Sequence, residues 1–220
     1  MAPQVEQIRD RCVNMYLLVE DDQVSLVDAG TSAAPRQVER ALARRGRRLA
    51  EVRHILITHS DGDHVGGLAA LQAATGATVY TSRVEAEAIA DGHASREPKL
   101  PAALAALFGL VQRLMPAAPA QVTRIVSAGD VLPMLGGLQV LATPGHTPGH
   151  LSFYAPAYGV LFAGDSLMAL GGKLSFGDGP VTWSYAIGRD SVRLQAALAP
   201  RMVCCGHGPV IHTAPIVFPT

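Results

Sequence analysis

The sequence contains only three cysteines, Cys12, Cys204 and Cys205, among its 220 residues. So small and odd a number argues against the disulfide framework that holds small secreted domains together. The N-terminus also lacks a basic stretch followed by an apolar one, which is the pattern of a secretory signal peptide. Both absences favour a cytoplasmic protein.

Long apolar runs and an excess of one charge are missing as well. No apolar stretch reaches the roughly 18 residues that span a bilayer. Eighteen lysines and arginines balance 18 aspartates and glutamates, so the formal net charge is zero. Because nucleic acids and anionic membranes attract basic proteins, we expect neither as a partner. A small-molecule substrate is the expected partner.

The chain is long enough for one sizeable domain, and 49% of its residues are hydrophobic. Apolar strands alternate with helical patterns through residues 14–82, which predicts an α/β architecture. Residues 123–167 are rich in strand patterns, and a last helix is predicted over 190–199. The segment at about 91–121 is apolar with helical spacing, which predicts a helical insertion. This insertion could pack in the core, cover a site or form the surface of a homodimer.

Metal-binding side chains occur in four loops that follow apolar strands. The loops read THSDGDHVGG from Thr58, TPGHTPGH from Thr143, FAGDS from Phe162 and CGHG from Cys205. In open α/β sheets, ligands bind just beyond the carboxyl ends of strands. The loops supply seven candidate metal ligands: His59, Asp61, Asp63, His64, His146, Asp165 and His207. Four imidazoles and three carboxylates suit two divalent ions that each keep a place for water.

These motifs resemble those of the metallo-β-lactamase superfamily of hydrolases. That family is marked by T-H-x-H-x-D-H after a strand, a histidine within PGHTPG, an aspartate within GD and a late GHG histidine. The early strand and turn LVDAG, Leu26 to Gly30, also match the family. The resemblance covers nearly all of residues 1–220. It implies an αββα four-layer sandwich, in which two mixed sheets pack face to face, helices lie outside and metals bind at one edge.

The resemblance also implies how two divalent ions, zinc above all, would be held. By matching position, one ion takes His59, Asp61 and His146, the other takes Asp63, His64 and His207, and Asp165 bridges them. It implies a metal-bridging hydroxide as the nucleophile, with Asp63 as the catalytic residue that orients it.

Asp61 departs from the family pattern, which usually has histidine at this position. Because aspartate is shorter, direct ligation requires the loop to move inward or a water to intervene. Its negative charge weakens the drive to deprotonate a bridging water. Its hard oxygen shifts preference from zinc toward iron or manganese. Flavodiiron oxidoreductases also carry a carboxylate here, so a dinuclear site stays compatible with the sequence.

The resemblance predicts a metal-dependent hydrolase of an ester, lactone, thioester or phosphoester. Glyoxalase II relatives carry an extra C-terminal helical region, whereas this chain ends 13 residues after His207, which disfavours that branch. Exported β-lactamases of the family often have cysteine where this chain has Asp165. The alternatives are a single-iron persulfide dioxygenase, with ligands matching His59, His146 and Asp165, and a non-catalytic member of the fold.

Two further residues are candidates for binding substrate. Lys173 and Tyr185 lie between Asp165 and the last predicted helix, in a segment expected to pass near the metals. Either side chain could stabilise a developing oxyanion. His150 repeats the PGH pattern, but its family counterpart is not a primary ligand, so it is interpreted as structural.

Overall fold

The computed structural model describes residues 4–21, 23–97, 99–101, 103–104, 117–177, 179–212 and 215–219. The middle of the predicted apolar insertion at 91–121 lies outside these residues. Among the described residues, no helix has both the length and the apolar character needed to cross a membrane.

The first half of the chain forms a six-stranded mixed sheet in sequential order. Its strands are β1 (Gln4–Asp10), β2 (Val13–Val19), β3 (Val24–Val27), β4 (Val52–Leu56), β5 (Thr78–Thr81) and β6 (Arg124–Ile125). The first three strands pair antiparallel, and β3 to β6 pair parallel. The carboxyl ends of β3, β4 and β5 therefore lie at one edge of the sheet.

Among the described residues, four α-helices connect these strands. They are α1 (Ala34–Arg44), α2 (Gly62–Val65), α3 (Leu68–Thr75) and α4 (Arg83–Asp91), and a short 3₁₀ helix (Leu49–Glu51) precedes β4. The N-cap of α1 is Ala33, which makes no side-chain cap bond. Pro35 lies in the first turn, where its fixed φ and missing N–H suit a helix start. Left-handed Gly76 and Gly92 end α3 and α4.

The second half forms a five-stranded sheet and a hairpin. In spatial order the sheet is β13 (Met202–Cys205), β10 (Val160–Gly164), β9 (Leu151–Ala155), β8 (Leu138–Ala142) and β7 (Val131–Leu132). The hairpin is β11 (Met168–Leu170) with β12 (Lys173–Ser175), and helix α5 (Tyr185–Ala197) precedes β13. Helix α5 begins before the predicted Asp190, because Ser184 caps it by accepting from the backbone N–H of Ile187.

Three apolar clusters lie between the layers and confirm the predicted αββα sandwich. The central cluster joins the two sheets, with Tyr16 and Leu56 from one and Phe153 and Phe162 from the other. A second cluster lies under the helices of the first sheet, and a third lies under α5. Neighbouring Cys204 and Cys205 fall in the central and third clusters respectively, as strand alternation predicts.

Candidate metal centre

The loop after β4 supplies four of the seven predicted ligands. His59 lies just beyond the end of the strand, after Ile57 and Thr58. Asp61 is the N-cap residue of α2, and Asp63 and His64 lie within that single-turn helix. Such a short helix turns its consecutive side chains toward different neighbours. The loop therefore contributes to two separate groups of candidate ligands.

The first trio comprises His59, Asp61 and His146, whose ligand atoms all lie within 4.8 Å of one another. Oδ2 of Asp61 is 3.1 Å from Nε2 of His146 and 3.5 Å from Nε2 of His59. The aspartate therefore reaches both imidazoles directly, although it is shorter than the histidine expected at this position.

The second trio comprises Asp63, His64 and His207, which meet the same 4.8 Å limit. Nε2 of His207 lies 3.6 Å from Oδ2 of Asp63. Asp165 follows β10 and lies between the two trios. Its Oδ1 is 3.4 Å from Nε2 of His64, and its Oδ2 is 3.1 Å from Nε2 of His207 and 3.7 Å from Nε2 of His146.

Several of these atoms are buried without a hydrogen-bond partner among the described residues. They are Nε2 of His59, Nε2 of His64 and Oδ1 of Asp165. An unsatisfied buried polar atom is costly, and native proteins rarely keep one without a reason. His59, His64 and Asp165 form a further group whose ligand atoms lie within 4.8 Å of one another, where the two trios meet. Bound metal ions there would satisfy the three atoms. The donor set therefore fits divalent cations.

Hydrogen bonds to Nδ1, on the side of the ring away from the centre, fix the orientation of two of the imidazoles. Asp28, from the LVDAG stretch, lies with its Oδ2 2.9 Å from Nδ1 of His64 and accepts from the backbone N–H of Thr58 at 2.8 Å. Nδ1 of His207 lies 2.8 Å from the carbonyl oxygen of Cys12. These contacts leave Nε2 of both imidazoles facing the centre, as orienting partners do in metal sites. Asp28 has a left-handed φ of +60°, a strain that is typical of functional sites.

Comparison with known families agrees with this geometry. Residues 9–207 match the family model of the metallo-β-lactamase superfamily. The chain belongs to this superfamily. The predicted family is thereby confirmed, and with it the assignment as a metallo-hydrolase.

Two curated relatives of this superfamily member illustrate its range. It is 31% identical over 212 residues to the uncharacterized protein YobT of Bacillus subtilis, covering 91% of this chain and 85% of that one. It is 38% identical over 199 residues to a hydroxyacylglutathione hydrolase of Cereibacter sphaeroides, covering 88% of this chain. The match spans 62% of that hydrolase.

Solved structures of the superfamily share the fold. A metallo-β-lactamase family protein of Thermus thermophilus superposes with a TM-score of 0.72 at 29% identity, covering 96% of this chain and 75% of that one. A metallo-β-lactamase of Cronobacter sakazakii gives a TM-score of 0.69 at 25% identity, covering 94% and 78% respectively.

Electrostatics in the centre favour ionised carboxylates. Burial alone would raise the pKa of Asp165, but His64 and His207 outweigh it and hold that pKa well below its usual range. Burial also opposes ionisation of Asp61, whose pKa is nevertheless held low by His59 and His146. Burial lowers the pKa of His146. Against the effect of burial, Asp165 raises the pKa of His64 well above its usual range, and it raises that of His207 to about 8. Because a metal ion binds neutral imidazoles and anionic carboxylates, metal binding would displace a proton from each of these two rings.

His150 lies beside the centre, and its contacts support its interpretation as a structural residue. Its Nε2 accepts from the backbone N–H of Asp165 at 3.1 Å, and its Nδ1 is 2.9 Å from the hydroxyl of Thr143. Both ring nitrogens are therefore engaged away from the predicted metals. Burial lowers the pKa of His150 well below its usual range, which agrees with a neutral ring that accepts from a backbone amide.

Sequence reasoning missed Glu85, a fully buried carboxylate of α4. Its Oε2 accepts from the backbone N–H of Ser60 at 2.9 Å and from its hydroxyl at 2.6 Å. Its Oε1 accepts from the hydroxyls of Ser95 and Thr147 and from the backbone N–H of Gly149. Glu85 thus ties the loop of His59 to the loop of His146. Glu85 lies three residues after Ser82, the N-cap residue of α4. This capping-box spacing was the signal that the sequence offered.

We expect Glu85→Ala to destabilise the fold by about 3 kcal/mol or more, because it leaves buried N–H and hydroxyl donors without an acceptor. Urea unfolding of the metal-free protein measures the effect. Glu87→Ala is the matched control, since Glu87 is exposed on the same helix. Equal stability of the two variants would show that Glu85 does not hold the loops together.

Arg96 is a second residue that sequence reasoning missed. Its guanidinium forms a bidentate pair with the carboxylate of Asp61, in which Nη1 pairs with Oδ1 and Nη2 lies 2.7 Å from Oδ2. The same Nη2 is 3.2 Å from Nε2 of His146, and Nε donates to the carbonyl oxygen of Val181. A lone arginine in an irregular segment gives no sequence signal of such a contact.

The two predicted substrate-binding residues lie in different surroundings. Tyr185 begins α5, is 45% exposed and stacks on Phe176 with ring centroids 5.3 Å apart. Lys173 is exposed on β12 and lines a cavity of about 550 Å³ with residues of the C-terminal segment, among them Ile211 and Phe218. Their role in binding substrate stays a prediction.

Proposed function

We propose that this metallo-hydrolase cleaves an acyl bond, a thioester above all, with the ester and lactone as related substrates. The observation that carries the proposal is the convergence of both trios on Asp165, with three buried donor atoms left unsatisfied. The thioester is favoured by the relatives named hydroxyacylglutathione hydrolase, which match at up to 38% identity. These relatives outweigh our expectation that glyoxalase II chemistry was disfavoured.

The seven candidate ligands would hold two divalent ions between them. The first trio would hold one divalent ion and the second trio the other, with Asp165 contacting both. When bound, such ions supply Lewis acidity and lower the pKa of water toward neutrality. Zinc is the expected metal, and the hard oxygen of Asp61 favours iron or manganese as the alternative.

Asp63 is the residue best placed to transfer a proton. Its side chain is 38% exposed, whereas that of Asp165 is 8% exposed. A carboxylate at the open side of the site can accept a proton from attacking water and pass it to a leaving group. Asp28 and Thr58 fix the ring of His64 and the loop around it, so the centre is organised before substrate enters.

Exposed apolar side chains lie beside the His146 loop and favour an apolar acyl portion. The backbone N–H of Trp183 donates to the carbonyl oxygen of His146 at 3.0 Å, and that of Ser184 donates to Gly145 at 2.8 Å. Val181, Trp183 and Tyr185 are each about 40% exposed in this segment. An apolar rim beside a polar centre is the usual arrangement of a small-molecule site.

A substrate panel tests the proposal. Purified protein is assayed with a hydroxyacylglutathione thioester, a simple acyl thioester, a lactone, an aryl ester and a phosphodiester. We expect the thioesters to be cleaved fastest, and we expect Asp63→Asn to lower kcat by about 100-fold or more. Asp190→Asn, an exposed aspartate on α5, is the matched control. Cleavage of the phosphodiester alone would contradict the acyl substrate, and no cleavage by metal-loaded protein would contradict the hydrolase.

A further inference from the structure

Arg96 makes the two halves of the metal centre unequal. Its side chain is 5% exposed, and its guanidinium lies against the first trio through Asp61 and His146. In the described part of the chain, the ion pairs of Asp63 and Asp165 are all with histidines. Among the described residues, no arginine or lysine pairs with the carboxylates around the second trio.

The guanidinium uses the same atoms that a metal would need in the first trio. Both carboxylate oxygens of Asp61 pair with it, and Nη2 lies 3.2 Å from Nε2 of His146. A lone pair directed at a guanidinium N–H is not free to coordinate a metal ion. Two cations at such close range also repel each other where water is excluded.

The backbone fixes Arg96 in this position from both sides. The backbone N–H of Ser95 donates to the hydroxyl of Ser60 at 3.0 Å, and the backbone N–H of Lys99 donates to the carbonyl oxygen of Pro180 at 2.7 Å. Nε of Arg96 itself donates to Val181. The segment that carries Arg96 is thus held on one side by the loop of the first trio and on the other by the apolar rim beside His146.

We propose that the Arg96 guanidinium occupies the ligand atoms of the first trio and competes with metal there. The second trio therefore binds metal first and more tightly. This inference rests on the proposed metal-dependent hydrolase. Filling the first trio requires the Arg96 side chain to leave Asp61, which couples occupancy of that site to movement of one arginine. Arg96 acts here as a positioning residue that sets metal occupancy.

Zinc titration of the chelator-stripped protein tests the proposal. Isothermal titration calorimetry against a competing chelator, with elemental analysis at limiting zinc, resolves the two equivalents. We expect the second equivalent to bind more weakly in the wild-type protein, and Asp61→Ala to remove only this weaker class. Arg96→Met should tighten the second equivalent on the order of 10- to 100-fold. Arg96→Lys, which keeps the charge without the bidentate pair, should tighten it less.

Arg193→Met is the matched control, because Arg193 pairs with Asp190 on the exposed face of α5. An Arg96→Met protein that binds the second zinc no more tightly than the wild type, or less tightly, would overturn the inference. Two equally tight sites in the wild type would also overturn it, whether or not the variant folds, while leaving the hydrolase proposal intact. Failure of the wild-type protein to bind zinc, manganese or iron would contradict both this inference and the proposed metal-dependent hydrolase.

Discussion

Asp165→Ala should lower the hydrolytic rate on the order of 10³-fold and release metal from both halves of the centre. Asp165 is the residue whose carboxylate approaches imidazoles of both trios, at 3.1 Å from His207 and 3.7 Å from His146. Its removal also leaves His64 without the carboxylate that faces its Nε2. No other carboxylate of the described residues occupies this shared position.

Two measurements separate this effect from a general loss of structure. Elemental analysis gives the metal content per chain, and thermal unfolding with and without zinc gives the stabilisation by bound metal. In the wild type, zinc should raise Tm, since a ligand that binds only the folded state stabilises it. In Asp165→Ala this rise should shrink, while Asp190→Asn should retain it. A variant that keeps full metal content and activity would show that Asp165 does not join the two trios.

Gly206→Ala should reduce metal affinity by about 10- to 100-fold or more, although it adds only one methyl group. A Cβ at this position would lie 2.0 Å from Oδ1 of Asp165 and 2.8 Å from Cε1 of His64. The buried carboxylate cannot stay in place, so the shared ligand must move. Overpacking of this kind also destabilises a fold by roughly 1–3 kcal/mol.

Gly179→Ala is the control for Gly206→Ala, because no atom of the described residues outside its chain neighbours lies within 4 Å of a Cβ built there. Zinc affinity by competition titration and stability of the metal-free protein are measured for both variants. The expected pattern is a loss of affinity larger than the loss of stability, confined to Gly206→Ala. Unchanged zinc affinity in that variant would place the metal away from Asp165.

The sequence was sufficient for the parts of the fold and site that depend on local pattern. The alternation of apolar strands with helical patterns predicted β4, α3 and β5, and the polar loop after β4 marked the edge where the ligands meet. The GHG and PGHTPG motifs placed His207 and His146 at the same edge through the resemblance. Each of these features is recognised from residues that are close to it in the sequence.

The missed features depend on contacts between distant segments. Glu85 is a helical glutamate in the sequence, and only the packing of α4 buries it against Ser60 and Thr147. Arg96 reaches Asp61 across 35 positions of the chain. The reach of Asp61 to His146 spans 85 positions, so whether its shorter side chain suffices could not be decided from spacing.

Hydrolysis should depend on metal held by the two trios and Asp165. The rate of thioester hydrolysis by chelator-stripped protein is measured as zinc, manganese or iron is returned in known equivalents. We expect negligible activity without metal and recovery that rises with metal bound per chain, in the wild type and not in Asp165→Ala. Full activity in protein shown by elemental analysis to contain no metal would contradict this dependence.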